Sequence, residues 1–387
     1  MNLDKNKSGE LDVDVDENES KYVTSAYERE EKITSIAIVA AILFLAIVTC
    51  AFFAVFTEDS LQAFAPITSI LPSTNPSSKP TSSTTTKPTT PTVSLPEIDP
   101  EHPYATLTNK TQFVASVGGN DLDDIYLYSE YAILVRLSDM TTIAHQDADK
   151  VMYPASMTKV MTVVVALDLI KDLDDGYIVT QEILSRVPQG AKTASLSSYV
   201  GKTVTVRDLL YGITYISGAD SVLCLVDYLN LTVEQFATLM NEKAAEIGLQ
   251  NTTFGGAIGM DAEHNQTTCR DMAAIMAYAM ENPLCRELFG KEAYRFDFYD
   301  KVYVNSTFNG VIKDKFCKNE STIVPGYTLL ATKSGLEDEA GYCLVSLLVN
   351  NTTGEEFILV TANAPYANKY NKAPIYDMIE LFDELKP

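Results

Sequence analysis

A serine and a lysine three residues apart, at the mouth of a long apolar run, constrain this chain more than any other feature. The stretch Tyr153-Pro154-Ala155-Ser156-Met157-Thr158-Lys159-Val160-Met161-Thr162 opens with a proline. It runs into Val160–Ile170, which has no Gly or Pro and reads as a buried helix. On a helix, residues three apart share one face, so the hydroxyl of Ser156 and the amine of Lys159 meet. A serine hydroxyl is a weak nucleophile until a base stands within hydrogen-bond reach. A lysine is that base only when desolvation lowers its pKa, as an apolar helix would. Taken alone, Ser-x-x-Lys arises by chance about once or twice in a chain of this length, and an ordinary helix start with a surface lysine explains it equally well. This is the single such match in the chain, and its lysine lies in an apolar run.

The 387 residues, 46% apolar, suffice for one large domain or two smaller ones. A net charge of −23 excludes nucleic acid as a partner, because phosphate binding needs clustered Lys and Arg. Cys50 falls in an apolar run. Cys224, Cys269, Cys285, Cys317 and Cys343 are scattered without a Cys-x-x-Cys pair. They read as small buried hydrophobes, with one disulfide left open. His102, His145 and His264 lack ligand spacing, so a metal centre is not expected.

Four segments are expected along the chain. Residues 1–32 are polar and acidic, a disordered cytoplasmic tail. Residues 33–56 are almost entirely apolar and uncharged, long enough for one transmembrane helix and too long for a signal peptide's apolar core. Lys21, Arg29 and Lys32 precede this span and no basic residue follows it until Lys79, so the N-terminus is expected in the cytoplasm and the rest outside the cell membrane. Residues 57–103 form an extracytoplasmic linker rich in Pro, Ser and Thr, which stays extended. Residues 104–387 form the folded domain. Within it, Tyr126-Leu127-Tyr128 and Ala132–Val135 read as a hairpin, Val206–Ile216, Ser221–Tyr228, Thr232–Ile247 and Asp271–Met280 as helices. Tyr342–Asn350 and Glu356–Ala362 read as strands joined by the Asn-Thr-Thr-Gly turn, and Ile375–Leu385 as a closing helix. Strands at both ends around a helical middle give an α+β fold, with one antiparallel sheet and a helical insertion.

Two further clusters bear on chemistry. Ile216-Ser217-Gly218-Ala219-Asp220 interrupts two helical stretches. Alone, Ser217 is an N-cap, the commonest role for serine there; equally, its hydroxyl could point into a cleft. Thr332-Lys333-Ser334-Gly335 precedes a hairpin, with a glycine that permits close approach of a substrate backbone. Alone, Lys333 is an edge-strand lysine that wards off aggregation.

In order and spacing the three clusters match the Ser-x-x-Lys, Ser-x-Asn and Lys-Thr-Gly signature of penicillin-binding proteins and class A β-lactamases. From about residue 105 to 387 the chain resembles the D-alanyl-D-alanine carboxypeptidases, the low-molecular-weight penicillin-binding proteins. Gly248-Leu249 with Thr253-Phe254, Thr268-Cys269-Arg270-Asp271-Met272 and Gly341-Tyr342-Cys343-Leu344 extend the resemblance. It implies a β-lactamase/transpeptidase-like domain acting on peptidoglycan stem peptides and acylated by β-lactams, with no metal or cofactor. It further implies that Ser156 attacks the penultimate D-alanine carbonyl, Lys159 takes its proton, and Ser217 relays a proton to the leaving D-alanine. Lys333 and Ser334, followed by Gly335, would hold the terminal carboxylate, with Lys333 also lowering the Lys159 pKa. The N–H groups of Ser156 and Leu336 would form an oxyanion hole.

Three departures stand out. Ala219 replaces the usual Asn, Ser334 replaces the usual Thr, and the membrane anchor is expected at the N-terminus rather than after a second C-terminal domain. The leading expectation is a membrane-anchored serine carboxypeptidase of a Gram-positive envelope. The alternative from another class is a catalytically weak penicillin- or wall-binding pseudoenzyme or sensor, weakened by Ala219. β-Lactamase activity is a third reading, for which no deacylating Glu of the class A kind is evident between the second and third clusters. The Asn-x-Ser/Thr sequons, such as Asn230-Leu231-Thr232 and Asn305-Ser306-Thr307, read as chance in a bacterial chain.

Overall fold

The computed structural model describes residues 99–122, 124–260, 264–290, 293–296, 302–304, 324–365 and 372–386. The expected tail, membrane span, most of the linker and the sequon at 305–307 lie outside the described residues. The chain divides into Met1–Pro88 and Thr89–Pro387, and every described residue belongs to the second unit. Among the described residues no single helix is long and apolar enough to cross a membrane.

A six-stranded sheet organises this unit. Its strands are β1 (Asn120–Asp121), β2 (Tyr131–Arg136), β3 (Thr141–Gln146), β4 (Tyr327–Glu337), β5 (Gly341–Asn350) and β6 (Glu356–Ala364), in the spatial order β1-β3-β2-β6-β5-β4. All neighbours are antiparallel except β1 and β3. The first hairpin thus pairs through β6 with the last one, so both ends of the domain meet in one sheet, as the α+β expectation requires.

The sheet is buried on both faces, which explains why its central strands read as continuous apolar runs. In β2, Ile133 and Val135 enter the larger core while Ala132 and Leu134 enter the smaller one. β6 divides the same way, with Ile358 and Val360 on one side and Phe357 and Leu359 on the other. The smaller core is closed by α6 (Ala373–Leu385), which contributes Met378, Leu381 and Phe382. The larger core packs against α1 (Lys159–Leu169), α2 (Val206–Tyr215), α3 (Ala219–Tyr228), α4 (Val233–Ile247) and α5 (Cys269–Met280). Helix α1 buries every residue from Lys159 to Leu167, and each Val or Leu side chain so buried contributes about 1.5–3 kcal/mol. Cys224, Cys269, Cys285 and Cys343 are buried and free, as small hydrophobes.

One expected strand is corrected. Tyr126-Leu127-Tyr128 is not part of the hairpin, which is formed by β2 and β3. The N–H groups of Tyr128 and Ser129 donate instead to the carboxylate of Asp377 on α6, at 2.7 and 2.9 Å. A backbone whose donors are held by a carboxylate does not join a ladder.

Candidate active site

Ser156 sits on a single 3-10 turn, Ala155–Thr158, that leads directly into α1. The turn is tight because Ala155 adopts the left-handed conformation at φ 45°, which for a residue with a Cβ costs about 1–2 kcal/mol. A second segment braces it from below. Gly259 lies so close that a Cβ there would stand 2.1 Å from the carbonyl oxygen of Ala155 and 2.8 Å from the Thr158 hydroxyl. The neighbouring carbonyls of Ala257 and Ile258 accept from the Thr162 hydroxyl at 2.7 Å and the Lys159 amine at 2.6 Å.

Lys159 is 1% exposed, and its Nζ stands 3.0 Å from Ser156 Oγ. Burial pushes its pKa down to about 7; the carboxylate of Glu337 opposes the shift and the charge of Lys192 adds to it. A neutral amine keeps two hydrogens and one lone pair. With one hydrogen held by Ile258 O, the lone pair is free to face the serine proton. The expected pairing of hydroxyl and desolvated amine is therefore present in the fold.

Ser217 stands in the turn between α2 and α3. The N-cap role is not observed, since α3 starts after Gly218 with no side-chain cap. Ser217 itself is left-handed, at φ 61°. Its Oγ accepts a hydrogen bond from Lys333 Nζ at 3.1 Å. Next to it, Asp220 ties a loop to the site. Its carboxylate accepts from the N–H groups of Ala194 (2.7 Å), Ser221 (2.9 Å) and Leu196 (3.0 Å). The Ala219 N–H donates to Lys192 O at 2.8 Å. These bonds hold Gln189–Lys192 as one wall of a cleft.

The opposite wall is β4, an edge strand of the sheet. Lys333 belongs to it but does not act as an edge lysine. Its side chain is fully buried and turned inward, donating to Ser217 Oγ and, at 2.7 Å, to Ser334 O. Burial, and after it the charges of Lys159 and Lys192, hold its amine well below the usual lysine range. The charges of Lys159 and Lys333 oppose one another, and the charge of Lys192, which the sequence did not single out, disfavours the protonated form of both. A Cβ on Gly335 would stand 2.8 Å from Pro154 O and 3.1 Å from the Ala155 Cβ. The glycine therefore lets β4 close onto the Ser156 turn of the protein itself, an intramolecular use beyond the substrate approach expected from sequence. Ser334 lines the cleft, and Leu336 at 40% exposure leads to the half-buried Glu337. Burial raises the Glu337 pKa while Lys159 opposes it.

The cleft thus brings Ser156, Lys159, Ser217, Ser334, Gly335 and Leu336 to one cavity of about 740 Å3, with Lys333 directly behind Ser217. Lys192, Glu337, Asp220 and the Ile258–Gly259 brace were not read from the sequence. No signal in the sequence marks what the segment after Ala257 would touch. Chemically, a hydroxyl beside a desolvated amine, faced by a second serine–lysine pair, is equipped for acyl transfer through a serine ester.

Residues 121–366 match the family described as D-alanyl-D-alanine carboxypeptidase. The chain is 26% identical over 243 residues to D-alanyl-D-alanine carboxypeptidase DacF of Bacillus subtilis, covering 62% of this chain and 59% of that protein. It is 30% identical over 212 residues to a D-alanyl-D-alanine carboxypeptidase of Streptomyces, covering 53% of this chain and 71% of the relative. Among solved structures, the Streptomyces DD-transpeptidase is similar at TM-score 0.57 and 25% identity, covering 67% of this chain and 98% of that one. A Mycobacterium tuberculosis D-alanyl-D-alanine carboxypeptidase shares the fold at TM-score 0.56 and 22% identity, covering 70% and 94%. The match to the Bacillus subtilis protein spans less than two thirds of that relative's length. The chain belongs to the D-alanyl-D-alanine carboxypeptidase family, the low-molecular-weight penicillin-binding proteins.

Proposed function

We propose that this protein is a serine D-Ala-D-Ala carboxypeptidase that removes the terminal D-alanine of peptidoglycan stem pentapeptides and is acylated by β-lactams. The observation that carries the reading is the desolvated Lys159 amine 3.0 Å from the Ser156 hydroxyl. Ser156 Oγ adds to the penultimate D-alanine carbonyl as its proton passes to Lys159. The oxyanion is held by the N–H groups of Ser156 and Leu336, each such donor typically supplying about 2.7–4 kcal/mol. The C–N bond breaks, and the proton moves from Lys159 through Ser217 to the departing amine. Water then adds to the ester and gives its proton to Lys159; the ester bond breaks and Ser156 regains that proton. Lys333 and Ser334 donate hydrogen bonds to the terminal carboxylate, whose own charge favours the protonated form of the buried Lys333 amine. Ala219 lines the cleft where the family carries an amide, which removes one hydrogen bond to substrate and lowers turnover without removing the nucleophile or base.

The test is release of D-alanine from diacetyl-Lys-D-Ala-D-Ala. Release by the protein and its loss in Ser156→Ala support the reading. Penicillin acylation without release points to the sensor alternative.

The same reading places the protein in the cell membrane of a Gram-positive envelope, anchored by residues 33–56 with the N-terminus in the cytoplasm. The uncharged apolar run and the basic residues before it support this. Protease added to intact cells should remove the domain at 104–387 while sparing the N-terminal tail; protection of both would contradict it.

A further inference from the structure

Glu337 has no part in the acyl-transfer steps, yet it lines the cleft. By the two-residue period of a strand, Lys333, Gly335 and Glu337 share one face of β4. That face lies against the Ser156 turn, because Gly335 abuts Pro154 and Ala155. The charge of Lys159 reaches Glu337 from across the cleft, while the carboxylate accepts no hydrogen bond among the described residues. The other charged side chains lining the cleft are Lys159, Lys192, Lys372 and Asp338.

The proposed reaction fixes how a substrate lies along this strand. Its terminal carboxylate is at Lys333 and Ser334 and its reacting carbonyl is at the Leu336 N–H, so the peptide runs antiparallel to β4. Strands advance about 3.3 Å per residue, so the residue before the D-alanine pair comes beside Glu337. In a stem peptide that residue is a diamino acid, whose side chain ends in an amine. A half-buried carboxylate accepts from either an ammonium or an amide N–H, and holds the ammonium more strongly because only the ammonium adds an opposite charge.

We propose that Glu337 binds the side-chain ammonium of the diamino acid preceding the D-alanine pair, so that stems with a free amine are preferred over stems whose amine is acylated. The inference rests on the carboxypeptidase reading, because that reading sets the direction of the peptide. Since cross-linking acylates this amine, the preferred substrate is a stem that has not yet served as an acceptor.

The test compares Nα-acetyl-Lys-D-Ala-D-Ala with Nα,Nε-diacetyl-Lys-D-Ala-D-Ala on the full chain. The kcat/KM ratio is expected to favour the free amine by about fivefold, as for a partly exposed ion pair. It should fall towards one in Glu337→Gln, drop below one in Glu337→Lys, and shrink with added salt. Equal kcat/KM for the two peptides, or a ratio unchanged in Glu337→Gln, overturns the proposal. Failure of the carboxypeptidase reading shows differently, as no D-alanine from either peptide. The two peptides are then competed against a fluorescent penicillin for the cleft: stronger competition by the free amine supports the Glu337 site, and equal competition overturns it.

Discussion

The amine of Lys159 lies between the Ser156 hydroxyl, 3.0 Å away, and the Ile258 carbonyl, 2.6 Å away, with almost no exposure to solvent. The carbonyl orients the amine, burial disfavours its charge, and the serine hydroxyl stands within hydrogen-bond reach of it. Acylation therefore depends on the fraction of Lys159 that is neutral. Plotted against pH, the acylation rate with a fluorescent penicillin should rise through a midpoint of about 7 and then level off. A rate that rises only near the ordinary lysine pKa of about 10.4 would show that Lys159 stays charged.

The same shift predicts a stability difference. The Lys159 pKa is lowered on folding from 10.5 to about 7, so between these values the unfolded chain holds a proton that the folded chain has lost. Stability then rises with pH across this window. Relative to Lys159→Met, the wild-type protein should gain about 1.4 kcal/mol per pH unit between pH 7 and 10. Urea unfolding of both proteins at several pH values measures it, and a difference independent of pH contradicts it.

Gly259 is expected to tolerate no side chain. It combines φ +81° with a Cβ position 2.1 Å from the Ala155 carbonyl oxygen. Gly259→Ala should displace the Ser156 turn, slow penicillin acylation by at least about tenfold, and cost about 2–4 kcal/mol in urea unfolding. Acylation at the wild-type rate would mean that the turn does not depend on this brace.

Asp220 is expected to act through the loop it holds. Three backbone N–H groups converge on its carboxylate, and hydrogen bonds to charged groups contribute about 1.5–3 kcal/mol each. Asp220→Ala should lower unfolding stability by about 3 kcal/mol and free the segment 189–196 for proteolysis. Unchanged resistance to proteolysis at that loop would contradict this role.

The parts of the fold that the sequence made legible are those set by local pattern. Helix ends fell within about two residues of the expected ones, because Thr205 and Thr232 cap α2 and α4 with reciprocal side-chain bonds. β5 and β6 were legible as apolar runs around a turn. Tyr126–Tyr128 was misread because tyrosine favours strands, whereas Asp377, some 249 residues away, claims the backbone donors. The site divides similarly. Ser156 and Lys159 are near neighbours in sequence, and their spacing is a chemical signal by itself. The Ile258 carbonyl is 99 residues from Lys159, and no residue type announces a backbone acceptor. Lys192 and Glu337 are polar residues in polar surroundings, so only the folded chain shows that they face the cleft. Ser217 and Lys333 each had an ordinary local explanation, which their pairing at 3.1 Å replaces.

The proposed chemistry turns on Ser156 as nucleophile and Lys159 as its base. Intact-mass and peptide-mapping analysis of the full chain after incubation with benzylpenicillin tests it most directly. One covalent adduct is expected, located on Ser156, absent in Ser156→Ala and formed far more slowly in Lys159→Met. An adduct on another residue, or none on a folded protein, would contradict it.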